Sequence, residues 1–406
     1  MMAIHIVGGV YRERCVHPRW NEVYGSAGRA AFAIAAFGTP VVLHSYMNDD
    51  ALQIIRDRGA WQSGFEAIQT KVQDIVSFDY LHDMAAPEIH GVPKNQYESL
   101  RVNEEKIVRF GMLEGDAIVH AEWAVYDPQN GKDGRPFHEN GSTAKHLALI
   151  LNAHEAAHMA NMQEAPPSMT APVLAQSHGA EVVVVKMGAE GAFVWTSTEI
   201  TQVPAFRTKR VWKVGSGDCF VAHFANAWMH NRKSPAESAE IASRATAYYC
   251  ETQGLPTVEN IEAFSCSAVE LSNDYKSGVR PQVYLAGPFF DLAQVWMVEQ
   301  TRSNLLSMGL RVFSPYHDIG LGSAEEVVVK DLEGIQQSDL LLALTDGLDP
   351  GTIYEIGYAR ALDKPVIVYS ERHKDESLKM MEGSGCTLCE NYTTALYSTV
   401  WEAVKL

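Results

Sequence analysis

Asp349-Pro350-Gly351-Thr352-Ile353-Tyr354-Glu355-Ile356-Gly357-Tyr358-Ala359 stands just beyond the apolar run Leu340-Leu341-Leu342-Ala343-Leu344, and another apolar run, Pro365-Val366-Ile367-Val368-Tyr369, follows after one helix length. Apolar runs of strand length separated by a helical stretch predict a βαβ unit in a parallel sheet buried on both faces. Ligands of such sheets sit at the carboxyl ends of the strands. The spacing therefore places Glu355 on the first turn of a helix at that edge, where the helix N-terminus favours its ionised form. Gly351 and Gly357 leave room for ligand and backbone to approach closely.

Upstream, Val283-Tyr284-Leu285-Ala286-Gly287-Pro288-Phe289-Phe290 reads as a strand ending in a Gly-Pro turn, and Asp331-Leu332-Glu333-Gly334-Ile335 precedes Asp339. In this order, Tyr, Gly-Pro, Asp and then Asp-x-Gly-Thr-x-x-Glu-x-Gly-Tyr-Ala, residues 282–406 resemble the nucleoside 2-deoxyribosyltransferase family. The resemblance implies a flavodoxin-like parallel-sheet α/β domain that breaks the N-glycosidic bond of a nucleoside or nucleotide without a cofactor. It puts the nucleophile on Glu355, which would hold the sugar as a covalent ester. Asp331 and Asp349 become the base-handling carboxylates, one of which would protonate the departing nitrogen, with their ranking left open. Tyr284 would position the nucleophile, and Gly287, Pro288, Gly351 and Thr352 would contact the nucleoside. The chemistry asks for such a set, because one carboxylate must meet the charge of an oxocarbenium-like sugar while another delivers a proton.

Gly-Thr-x-x-Glu at a helix start is also the pattern of an N-terminal cap, with Thr352 as cap and Glu355 as its capping-box partner. Asp339 and Asp346 read as turn and strand-boundary residues. Pro350 departs from the small polar residue of some family members, which puts in question a side-chain contact there to a sugar hydroxyl or phosphate.

A chain of 406 residues exceeds what one core usually serves, so two domains are expected. The polar stretch from Ser272 to Pro281 reads as the boundary, giving a first domain over 1–270, a linker over 271–281 and a second domain over 282–406.

In the first domain Val214-Gly215-Ser216-Gly217-Asp218-Cys219-Phe220 leads into a helical apolar stripe of Val221, Phe224, Ala225 and Trp228. A Gly-rich turn opening a helix offers backbone N–H groups to an anion. Ile4-His5-Ile6-Val7-Gly8-Gly9, Gly25-Ser26-Ala27-Gly28, Val125-Tyr126-Asp127-Pro128, Leu151-Asn152-Ala153-His154-Glu155 and the run from Val182 to Ala192 follow in an order that resembles the PfkB, or ribokinase-like, sugar and nucleoside kinase family. The resemblance implies a ribokinase-like α/β sandwich. Asp218 would take a proton from the acceptor hydroxyl, and Gly215, Ser216 and Gly217 would form the anion hole. Gly188 and Gly191 would flank the nucleotide, and Asn152 and Glu155 would help hold magnesium and phosphate. Mg2+ with ATP is the expected pair, since charge on a transferring phosphoryl group needs neutralising.

This half also departs from the family. Trp212-Lys213-Val214 replace its Asp-Thr-Thr run, Arg29 stands where an acceptor-binding asparagine is expected, and the acidic residue for sugar hydroxyls is at best Glu13. Arg12, Arg14 and Arg29 together predict an anionic acceptor, such as a sugar phosphate or nucleotide. The alternative is that they pair with surface acids.

A net charge of −17 argues against a nucleic-acid polymer as partner, because no basic stripe offers counterion release. The chain enters its first strand at Ile4 without signal-peptide features, and no apolar run reaches membrane-spanning length, so a cytoplasmic protein without a membrane partner is expected. The six cysteines include a single Cys386-Thr387-Leu388-Cys389, too few ligands for structural zinc, and free thiols are the expectation.

The whole reads as a two-domain enzyme of nucleoside, nucleotide or sugar metabolism. One domain would phosphorylate a sugar or nucleoside, and the other would cleave a glycosidic bond with transfer to water or to a second base. The other reading makes the first domain a nucleotide sensor that regulates a nucleotide-depleting effector. Both resemblances imply a homo-oligomer.

Overall fold

The computed structural model describes residues 2–129, 134–320, 322–372 and 375–406, which divide into two compact units. One comprises Met1–Thr208 with Trp212–Ala268, and the other Lys209–Val211 with Val269–Leu406. Within the stretch read as a linker lies a one-turn helix, Asn273–Lys276, capped by the Ser272 side chain and anchored by Tyr275, which is 3% exposed. A single buried aromatic among polar residues carries no periodicity, so sequence reading sees only a polar segment.

Among the described residues, nine strands make the central sheet of the first unit, in the order Ile200–Val203, Ala192–Thr196, Val182–Lys186, Thr143–Asn152, Ala117–Asp127, Leu100–Phe110, Ile4–Val7, Val41–Met47 and Phe65–Lys71. The two pairings at the Ile200–Val203 edge are antiparallel and the others parallel. Parallel pairing needs crossover connections, and helices cover both faces as a result. Val182 and Val184 enter the core formed with the helices Gly25–Ala36 and Ser216–Ala225. Val183 and Val185 enter the opposite core with Pro167–His178. This is a ribokinase-like α/β sandwich.

A separate small sheet in the same unit runs in the order Trp20–Val23, Arg12–His17, Ser77–His82, Glu88–His90. Strand alternation buries Tyr11, Glu13 and Cys15 and exposes Arg12 and Arg14. The three arginines expected at one anionic site are thereby separated. Arg12 and Arg14 face outward, the latter 3.7 Å from Asp79, and Arg29 is fully buried.

The second unit has a sheet in the order Arg311–Phe313, Gln282–Ala286, Leu340–Leu344, Val366–Tyr369, Thr387–Cys389, all parallel. In chain order this is 2-1-3-4-5, the flavodoxin-like arrangement, whose ligand crevice lies where the strand order reverses. Tyr284 sits beside that point, in register with Phe313 on one side and Leu341 on the other. No described helix is long and apolar enough to cross a membrane.

Candidate functional site

In the second unit the helix Pro350–Ala361 is capped by Asp349, whose Oδ2 accepts the Thr352 backbone N–H at 2.8 Å and its hydroxyl at 3.0 Å. The cap is therefore Asp349, not Thr352, and Glu355 is neither a capping partner nor in the first turn. One turn further on, it accepts a hydrogen bond on Oε1 from the Tyr284 hydroxyl at 2.6 Å.

Tyr284 is fully buried, with its ring stacked 5.6 Å from that of Phe313. Phe313 needs the close approach of the helix Ala324–Gln337 at Gly334, where a Cβ would lie 2.4 Å from its ring. The same helix carries Asp331, part-buried, with Oδ1 buried and without a hydrogen-bond partner.

The electrostatics follow burial more than the helix field, which fades beyond the first turn. Burial pushes the Glu355 carboxyl up to about 7; the Tyr284 hydrogen bond pulls it down, and the charges of Asp331 and Asp349 push it further up. The ionised form expected from helix position alone thus becomes an evenly balanced carboxyl near neutrality. Burial and the neighbouring Glu355 carboxylate raise the Tyr284 phenol, which stays a donor. Burial raises Asp331 as well.

Asp339 and Asp346, read as turn and strand-boundary residues, hold the scaffold. Asp339 accepts the Gln282 N–H at 2.7 Å, and Asp346 accepts the N–H groups of Glu371 and Arg372 at 3.1 and 3.0 Å. Asn391 caps its own helix, Tyr392–Ala403. Gly287 and Pro288 lie at the carboxyl end of the Tyr284 strand.

In the first unit Gly215 has φ +77°, and Ser216, Gly217 and Asp218 form the first turn of their helix. Gly215, Gly217 and Asp218 line a cavity of about 410 Å3 whose other walls include Tyr11, Phe78 and Tyr80. Gly188, which opens the turn Gly188–Glu190, and Gly191, which follows it, both have positive φ. Asn152 and Glu155 form a capping box, Asn152 Oδ1 accepting the Glu155 N–H at 2.9 Å and Glu155 Oε2 the Asn152 N–H at 2.7 Å.

Lys186 escaped sequence reading, because a cation closing an apolar strand has no periodic signature. Its Nζ pairs with Asp127 Oδ2 at 2.8 Å and would lie 3.5 Å from a Cβ on Gly217. Burial opposes its charge, but Asp127, Glu155 and Asp218 outweigh that and raise its pKa.

Asp218 is not free in this structure. Arg29 Nη1 donates to its Oδ2 at 2.9 Å and Gln129 Nε2 to its Oδ1 at 2.9 Å. Arg29 also grips both oxygens of Glu13 and donates from Nε to the Tyr249 hydroxyl at 3.1 Å. Burial works against the guanidinium charge, yet Glu13, Tyr249 and Asp218 hold its pKa well above the usual value.

Among the described residues no group of three His, Cys, Asp or Glu side chains is placed for a metal, and the six cysteines are free. A magnesium ion carried mainly by phosphates needs only one or two protein carboxylates. Glu155, with one oxygen outside its capping box, fits that role, and the Gly215 turn fits phosphate oxygens.

The chain thus joins a ribokinase-like α/β unit to a flavodoxin-like unit with a tyrosine-held glutamate at its switch point. Residues 142–260 match the model of the pfkB family of carbohydrate kinases, and residues 283–388 match that of nucleoside 2-deoxyribosyltransferase. Fructokinase from Vibrio cholerae O395, in its fructose, ADP and calcium form, is 14% identical and superposes with a TM-score of 0.51 over 65% of this chain and 99% of its own. Ribokinase from Thermotoga maritima is 16% identical, with a TM-score of 0.47 over 65% of this chain and 99% of its own. The nucleoside kinase of Methanocaldococcus jannaschii is 14% identical, at 0.45 over 65% and 99%. No curated protein matches the chain.

Proposed function

We propose that the second unit cleaves the N-glycosidic bond of a nucleoside or nucleotide with Glu355 as nucleophile. The observation that carries this reading is the 2.6 Å hydrogen bond from Tyr284, which fixes one oxygen of Glu355 and leaves the other for the anomeric carbon. Glu355 forms an ester bond to that carbon as the bond from carbon to base nitrogen breaks, and the electron pair leaves with the base. Asp331 supplies the proton that the base takes up. Its burial and its unpartnered Oδ1 favour a protonated carboxyl in that role over Asp349, whose Oδ2 serves the helix cap. Water or a second base then attacks the anomeric carbon and releases Glu355.

The test is chromatographic detection of free base from a panel of nucleosides and nucleotides. The expected result is release by the native chain and loss by at least about 1,000-fold in Glu355→Ala, the scale of losing a covalent nucleophile. Equal release by both proteins would overturn the assignment.

For the first unit two readings stand: phosphoryl transfer from ATP to a sugar or nucleoside hydroxyl with Asp218 as base, and nucleotide binding without transfer that regulates the second unit. The engagement of both Asp218 oxygens favours the second. Each oxygen already accepts a hydrogen bond from a neighbouring side chain, and the Arg29 guanidinium occupies the space between Asp218 and Glu13. Under this reading nucleotides change the rate of base release and are not consumed, and acceptor-dependent ADP formation by the native chain would overturn it.

A further inference from the structure

We propose that Arg29 is a built-in occupant of the acceptor subsite, its guanidinium standing where a substrate hydroxyl would bridge Glu13 and Asp218, and that this occupancy is what silences phosphoryl transfer in the first unit. The inference rests on the non-transferring reading above and names the residue responsible for it.

The geometry is that of a lodged ligand more than of a surface ion pair. Arg29 is fully buried, yet Glu13 and Asp218, the two carboxylates it binds, both line the cavity of about 410 Å3. Its head group draws on partners from separate parts of the unit. Glu13 comes from the small sheet, Asp218 from the helix Ser216–Ala225, Tyr249 from the helix Pro235–Thr252, and the Tyr24 ring lies 5.0 Å from the guanidinium carbon. The Tyr249 hydroxyl in turn donates to the Val214 carbonyl at 2.9 Å, tying the cage to the glycine turn.

Gly215 is shaped around the guanidinium. A Cβ at Gly215 would lie 2.1 Å from Arg29 Cζ, so the turn that opens the Asp218 helix closes directly over the arginine head group. The remaining oxygen of Asp218 is held from the other side by Gln129, a non-glycine residue at φ +52° whose Oε1 accepts the Ser26 hydroxyl at 2.7 Å. Residues other than glycine in that backbone region persist when the surroundings fix them, and such positions cluster at functional sites. With one oxygen bonded to Arg29 and the other to Gln129, Asp218 meets an incoming hydroxyl only through the lone pairs those bonds leave, beside a guanidinium that fills the space between it and Glu13.

The experiment compares the full native chain with Arg29→Asn and Arg29→Lys for ADP formation from Mg-ATP, with and without pentoses, hexoses and nucleosides. Circular dichroism and thermal melting confirm folding. Arg29→Asn removes the guanidinium and supplies a neutral side chain. Arg29→Lys keeps the buried charge, and with it the fold, but an ammonium lacks the planar fork that spans two carboxylates.

The expected result is no acceptor-dependent ADP formation by the native chain above its acceptor-free background and, in a folded variant, formation at least about 100-fold above that background, the low end of what a freed general base contributes. Asp218→Asn in the same background abolishes the gain, and added guanidinium ion suppresses it in Arg29→Asn. Folded variants as inert as the native chain would overturn the role of Arg29 while leaving the non-transferring reading in place. Native transfer that Asp218→Asn removes would overturn both.

Discussion

Tyr284 and Glu355 are 71 positions apart in sequence and share a 2.6 Å hydrogen bond at the point where the strand order of the second sheet reverses. The tyrosine is locked by sheet pairing and by the Phe313 ring, so its hydroxyl is a fixed donor and the glutamate is what it orients. In the proposed mechanism, proximity of this kind contributes to rate by holding the nucleophile near its attacking geometry.

Tyr284→Phe is therefore expected to lower kcat for base release by about 10- to 100-fold with a small effect on KM, since the lost bond positions the nucleophile without holding substrate. The bond also pulls the Glu355 carboxyl down. Its removal should move the acidic limb of the pH–rate profile to higher pH. A profile that stays in place while the rate falls would remove Tyr284 as the group that tunes Glu355.

The acidic limb of the native chain's pH dependence has a definite sign. Glu355 is pushed up to about 7 from 4.5 in the unfolded chain. A nucleophile must be ionised, so protonation of Glu355 should lower kcat/KM on the acid side of about pH 7, while loss of the Asp331 proton lowers it on the alkaline side and closes the profile into a bell. Stability runs opposite to the acidic limb. Between 4.5 and about 7 the folded chain holds the proton more tightly than the unfolded one, so this residue's contribution falls as pH rises through that window. Glu355→Gln removes the effect and should be more stable than the native chain at pH 8, by on the order of 2 kcal/mol, and equal to it near pH 4. Thermal melts across that range decide it.

Asp331 and Asp349 separate by leaving group. Asp331→Asn should slow release of an ordinary purine by about 100-fold or more, the usual contribution of a general acid. It should act nearly normally on a 7-methylated purine nucleoside, whose base departs neutral without a proton. Asp349→Ala should instead cost about 1 kcal/mol through its lost cap, read as a lower Tm. The same leaving-group response in both variants would return the ranking to an open question.

Much of this was legible in the chain. The run Leu340-Leu341-Leu342-Ala343-Leu344 is a strand buried at every position, and the Gly215 turn opens a helix where expected. The strand ending in Gly-Pro and the helix that follows the next strand are short-range signals, so the elements that carry Tyr284 and Glu355 are visible in the chain, while the roles of the two residues come from the family resemblance. What escaped depends on long-range convergence. Leu100–Phe110 reads as polar, yet it is a central strand, with Lys106 and Arg109 buried at positions that apolar periodicity would exclude. Arg29, Glu13, Gln129 and Tyr249 meet around Asp218 from sequence separations of up to 220 residues, and nothing local to any of them announces the others. Arg29 consequently reads as an anion-binding residue, although its charge is spent on two carboxylates of the same unit.

The same contrast supplies a test of packing in the first unit. Glu13 and Arg14 are chain neighbours in a strand that sends one side chain inward and the other outward. Glu13→Gln leaves the fully buried Arg29 guanidinium with its only remaining carboxylate at Asp218 among the contacts described, and breaking a buried pair from one side costs about 3–5 kcal/mol. Arg14 reaches Asp79 at 3.7 Å with more than half of its side chain exposed, so Arg14→Gln should change stability by at most about 1 kcal/mol. In thermal melts of the full chain the first substitution should lower a transition by several degrees and the second leave it in place. Equal shifts would mean that Arg29 draws its compensation from the rest of its cage, Tyr249 and Tyr24 included, and not from the carboxylates.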